Sequence, residues 1–90
     1  PREEEFGLKA QIRRAAVSVP SNIAEGLTRK SGKDKLHFLN ISDASLSELD
    51  TQLEIARVLE FIDDEVFNVA EDMLVDVQRP LSGLIRSIDP

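Results

Sequence analysis

The chain has no cysteine, no tryptophan and no tyrosine; four phenylalanines and one histidine are all it holds of those ring types in 90 residues. Without cysteine there is neither a disulfide nor a thiolate metal site. A single histidine excludes a multi-histidine metal site within one chain. So few aromatics leave no platform on which single-stranded bases could stack between basic side chains. No apolar run reaches the roughly 20 residues of a membrane-spanning helix, and no signal-peptide pattern is present. A cytoplasmic protein that does not enter membranes is therefore the expectation. Alternating strand-like patterns, internal repeats and low-complexity tracts are also lacking. The chain opens on Pro1 and not on methionine, so a start within a longer protein is one expectation.

What is present is charge, unevenly spread. The formal net charge is −6, which argues against a protein that simply coats nucleic acid. Residues 1–35 nevertheless carry eight cations against five acids, net +3, and residues 36–90 carry three cations against twelve acids, net −9. The window 9–35 is net +5. Such asymmetry fits a polyanion-binding end. It also fits oppositely charged helices, or unlike patches of two subunits, lying side by side.

Apolar periodicity predicts one helical domain over residues 1–90, with helices over about 3–27, 33–60 and 64–88. The first carries the stripe Leu8, Ile12, Ala15, Ala16, Val19, Ile23, Ala24, Leu27, opens on Glu3, Glu4 and Glu5, and has Gly26 where a C-cap is expected. Pro20 sits inside it, yet the stripe keeps its phase on both sides, so a kinked continuous helix is expected. The second helix follows the polar loop TRKSGK, with Ser31 and Asp34 spaced for capping. Its seam is Leu36, Leu39, Leu46, Leu49, Leu53, Ala56, Leu59, and Phe38, Ile41, Ile55, Val58 and Ile62 widen the apolar face to a second side. Asp63 or Asp64 can cap the third, whose stripe from Val66 to Ile88 passes Pro80 in phase and predicts a second kink. Short connections between long helices imply antiparallel neighbours. The faces are wide enough for four helices.

Two blocks, FGLKAQIRRAAVSVPSNIAEG at 6–26 and FLNISDASLSELDTQLEIARVLEFI at 38–62, resemble the 23S rRNA-intervening-sequence proteins. The resemblance covers nearly the whole chain. It implies an all-α, antiparallel up-and-down four-helix bundle from which this chain lacks the family's first helix, leaving three. It further implies a homo-oligomeric ring, with a five-membered barrel the expected form, and no enzymatic activity. Relatives of the family include the accessory protein of diversity-generating retroelements, which works with a reverse transcriptase and is linked to nucleic acid. Against the family pattern, Glu60 stands where glycine is usual and Phe61 where tyrosine is usual. Ser42, Asp43 and Ala44 replace a small-residue run containing glycine, which implies a looser helix contact there.

No set of side chains reads as a catalytic or metal site. Glu48, Asp50 and Glu54 are carboxylates on one helix, Asp50 and Glu54 sharing a face, but carboxylate metal sites in bundles use inward Glu-x-x-His pairs, which are absent, so a solvated acidic face is expected. His37 has no acid or nucleophile partner in the pattern, and Ser18 and Ser21 lack a Ser/His/Asp arrangement. SGKDK at 31–35 falls far short of a P-loop. The expectation is a protein without catalytic residues, metal, cofactor or small-molecule substrate. Two sets of residues remain. Arg13, Arg14, Arg29, Lys30, Lys33 and Lys35 are candidates for phosphate contacts of RNA or DNA, or for pairing with acids such as Glu25. Ser18, Pro20, Ser21, Asn22 and Pro80 are candidates for supporting the kinks and for close helix packing. The reading is a non-catalytic, oligomeric interaction or scaffold module. The alternative is an RNA- or DNA-binding accessory protein working through the basic window, with RNA or an RNA-associated protein as partner.

Overall fold

The computed structural model describes residues 2–90. Its elements are α1 (Arg2–Thr28), α2 (Gly32–Val58) and α3 (Asp64–Ser87), with no strand among the described residues. The acids expected to start α1 lie in its first turn, where the helix dipole favours them. α1 passes through Pro20, and α3 through Pro80, without interruption. Each proline adjoins a buried core residue, Val19 in one case and Leu81 in the other. Burial beside each ring thus favours a chain that stays helical, although Pro20 has no N–H to give the carbonyl of Ala16.

Gly26 does not end α1. It lies inside the helix and is buried. A Cβ added there would stand 3.2 Å from both the Lys35 carbonyl oxygen and the Phe38 Cβ, so this glycine serves close approach to α2. α2 begins on Ser31, whose Oγ accepts from the Asp34 N–H at 3.1 Å. α3 begins on Asp63, whose carboxylate accepts from the Val66 N–H at 2.8 Å. Both meet helix-start donors that have no partner of their own within the helix.

α2 ends at Val58 and not at Glu60. Leu59 is the C-cap, and Glu60 adopts a left-handed φ of 63°. The Phe61 N–H bonds the Ala56 carbonyl at 2.8 Å and the Glu60 N–H bonds that of Arg57 at 3.0 Å. This is the Schellman pattern with glutamate at the position that favours glycine. A Cβ there costs about 1–2 kcal/mol, partly offset by the extra chain entropy of unfolded glycine. Glu60→Gly is therefore expected to stabilise the protein by about 0.5–1 kcal/mol, read as a higher denaturant midpoint at unchanged slope.

α2 is central. α1 and α3 both lie against it and make no backbone approach to each other. Leu39, fully buried, clusters with Val19, Leu46 and Leu81, and Ile23, Leu74, Leu84, Ile85 and Ile88 pack around them. At Ser42 the contact with α1 is close, whereas Ala44 is exposed. Ser42 is fully buried and its Oγ donates to the Val19 carbonyl at 2.8 Å. The chain after α3 folds back over the start of α2, where a Cβ on Gly32 would fall 1.7 Å from the Asp89 carbonyl oxygen. No described helix is long and apolar enough to cross a membrane.

Candidate interaction site

The structure is flat, with extents of 46 × 23 × 14 Å, and one face is an open apolar groove. α2 supplies its floor with Leu49 and Leu53. α1 contributes Ala16 and Pro20 to one wall, and α3 contributes Met73 and Val77 to the other. The groove holds about 440 Å³. Its α3 wall is continued by Val66 and Val69, and Val66, Val69 and Met73 are each more than half exposed. A contiguous apolar surface of this kind marks a contact site. Every side chain lining the groove is apolar, so it offers a seat for an apolar helix face and no acid, base or nucleophile.

The polar residues near Pro20 do something other than meet the carbonyl that the proline frees. Asn22 Nδ2 donates to the Ser18 carbonyl and to Ser18 Oγ, both at 2.9 Å. Ser18 Oγ lies 2.8 Å from Ser45 Oγ on α2. Either hydroxyl can donate in the Ser18–Ser45 bond, and the chain Asn22–Ser18–Ser45 ties α1 to α2. Ser21 is exposed and makes no side-chain hydrogen bond among the described residues. Pro80 is exposed as well.

The six basic candidates do not form one patch. About 22 Å of helix axis separates Arg14 from Arg29. Arg29 is engaged: its guanidinium is 2.6 Å from the Glu25 carboxylate and lies 4.7 Å from the centre of the Phe38 ring. Glu25 is thus held by Arg29 and not by Arg13 or Arg14. Lys35 Nζ donates to the Leu27 carbonyl at 3.4 Å. Arg13, Arg14, Lys30 and Lys33 are exposed and enter no ion pair among the described residues.

The acidic face is resolved in the same way. Glu48 accepts from Gln52 Nε2 at 3.1 Å, and Glu54 pairs with Arg57, which lies over the Phe67 ring at 5.0 Å. His37 is exposed, with its ring edge-on to Phe38. Asp50 has a partner that the α2 sequence alone could not reveal: Glu71 on α3. A shared carboxyl–carboxylate hydrogen bond with Asp50, partial burial, and the negative charges of Asp50, Glu54 and Asp72 push the Glu71 pKa up to about 7. Folding therefore favours the protonated acid. The stability this contributes is present at low pH and is lost as pH rises from about 4.5, the ordinary value, through about 7. The thermal midpoint is accordingly expected to fall between pH 5 and pH 8, and Glu71→Gln to remove most of that fall. No cluster of three or more histidine and carboxylate side chains suited to a metal ion occurs among the described residues.

No curated protein matches the chain. The family comparison does find a match, and it spans both sequence blocks, the helix through Pro20 and most of α3. Over residues 1–83 the chain fits the model of the 23S rRNA-intervening sequence protein, and it belongs to that family.

Proposed function

We propose that this protein is a non-catalytic interaction module, built as an antiparallel up-and-down four-helix bundle and assembled as a homo-oligomeric ring of five copies. The observation that carries the reading is the apolar groove between α1 and α3, over α2. A fourth amphipathic helix seated there completes the bundle. Each Leu- or Met-sized side chain buried by that helix contributes about 1.5–3 kcal/mol, enough that the groove is covered in the working protein. The antiparallel sense of α1 and α2 is supported by paired contacts. As α1 advances from Ser18 to Val19 and Gly26, its partners on α2 run back from Ser45 to Ser42 and Phe38. Light scattering on the complete protein at micromolar concentration is expected to give the mass of a ring. A single monomer peak overturns the reading.

A second reading, an RNA- or DNA-binding accessory protein, is favoured by Arg13, Arg14, Lys30 and Lys33, which are exposed and enter no ion pair among the described residues. It requires binding that weakens steeply with salt. Arg13→Ala combined with Arg14→Ala then lowers the salt slope by about one to two contacts, and an unchanged slope rejects it.

A further inference from the structure

α2 buries Leu39, Ser42, Leu46, Leu49, Gln52 and Ala56 against its neighbours. Its opposite side carries a second regular stripe: Ile41, Ala44, Glu48, Thr51, Ile55 and Val58, at alternating steps of three and four residues. All six are exposed, Ile41 by 38%, Ile55 by 43% and Val58 by 66%. Steps of three and four are the spacing of a helix–helix seam. The stripe lies on the far side of α2 from the groove, so a helix filling the groove leaves it open.

The residues of the stripe complement one another when its order is reversed. If a second α2 runs antiparallel with its midpoint between Glu48 and Thr51, then Ile41 meets Val58, Ala44 meets Ile55, and Glu48 meets Thr51. The smallest residue faces a large one in each copy, and the one acid faces a hydroxyl. Glu48 accepts from Gln52 within its own helix and Thr51 donates to the Ser47 carbonyl within its own, so this central pair is polar and already satisfied on each side of the seam. Charge at the two ends of α2 points the same way. The turn before α2 and its first helical turn carry Arg29, Lys30, Lys33 and Lys35 with Asp34 the only acid, and residues 60–65 carry Glu60, Asp63, Asp64 and Glu65 with no cation. Antiparallel pairing sets each basic end beside an acidic one. Parallel pairing would set Glu48 against Glu48 and like ends together, which is repulsive.

We propose that the outer face of α2 is a self-pairing surface whose partner is a second copy of the same chain, docked antiparallel about a twofold axis. The pairing goes beyond the ring reading and does not rest on it. A ring closes through two different patches, whereas this seam meets itself. The area of one helix face belongs to the low end of interface sizes, so the pair is weak and reversible, and the end-to-end charge makes it weaker as salt rises.

Because the chain has no cysteine, thiols placed on the seam report the pairing directly. In the antiparallel pair, residue 44 lies next to residue 55 of the other copy. The two copies of residue 44 are about 16 Å apart along the axis, beyond the span of a disulfide. Complete protein is prepared as separate Ala44→Cys and Ile55→Cys variants, checked for helical content, and oxidised gently alone and mixed. The expected result is a covalent dimer in the mixture, forming about a hundredfold faster than in either variant alone because pairing holds the thiols at high effective concentration. Rapid self-linking of Ala44→Cys, equal linking in all three samples, or no linking in the mixture would each overturn the proposal. Light scattering on the unoxidised Ala44→Cys and Ile55→Cys variants separates the two readings: ring mass in both with fast linking in their mixture leaves both standing, and monomer mass in both with fast linking in their mixture at higher concentration rejects the ring alone. Adding Val58→Glu, a change at an exposed position, to the Ile55→Cys variant is expected to slow the mixed linking at least about tenfold with the helical content kept, and unchanged linking would overturn the seam.

Discussion

Leu39→Ala is expected to cost about 3–4 kcal/mol of folding stability, the largest loss from any single truncation in this chain. Leu39 is fully buried at the centre of the cluster with Val19, Leu46 and Leu81. Leucine-to-alanine changes at such sites remove transfer free energy and leave a cavity, together worth about 2–5 kcal/mol. Two features place this site toward the upper part of that range. The site cannot collapse easily, because Gly26 already brings α1 against Phe38 and Leu39 at 3.2–3.4 Å for a Cβ position. The same leucine is the α2 side chain that clusters with both Val19 of α1 and Leu81 of α3. A domain of this size has about 5–15 kcal/mol in total, so the loss shows as a large fall in denaturant midpoint. Leu27→Ala, at a side chain that is 53% exposed, is the matched control and is expected to cost well under 1 kcal/mol.

Met73→Asp is expected to act almost wholly on assembly. Met73 projects from the α3 wall of the groove and is 63% exposed, so the three helices lose little when it becomes polar, about 0.5 kcal/mol or less. If a helix covers the groove, the substitution removes about 2 kcal/mol of apolar burial and places a carboxylate where nothing can hydrogen-bond it. Together these are expected to weaken seating of the helix by at least about a hundredfold. Circular dichroism would show helix content retained in residues 1–90, and light scattering on the complete protein would show loss of the assembled mass.

Much of the architecture is written in local pattern. Ser31 was legible as a cap because a short side-chain acceptor one residue ahead of a periodic run has one obvious task, and the choice between Asp63 and Asp64 fell to Asp63 in the structure. Continuity through Pro20 and Pro80 was legible because the apolar stripe holds its phase across each ring. The second apolar side of α2 was visible in Ile41, Ile55 and Val58. Other features needed three dimensions. Gly26 stands where a helix could end, and only the neighbouring α2 shows that it is there for closeness. The family resemblance flagged Glu60 at a glycine position, but its left-handed φ of 63° and the place of the helix end at Val58 came from the structure. Asp50 and Glu71 lie on different helices, so the raised pKa of Glu71 had no trace in either segment. The basic window was legible as composition, but the spacing along α1 and the capture of Arg29 by Glu25 and Phe38 divide it.

The account turns on whether the groove is covered, and one labelling measurement tests that most directly. The chain has no cysteine of its own, so Met73→Cys places a single thiol on the α3 wall. In the complete folded protein the account predicts that a maleimide reagent modifies this thiol about a hundredfold more slowly than in denaturant, as for a position protected by local structure. Modification at the unfolded rate, in protein whose circular dichroism shows intact helices, would contradict it: the groove would then be open surface, and the chain's apolar face would need another explanation.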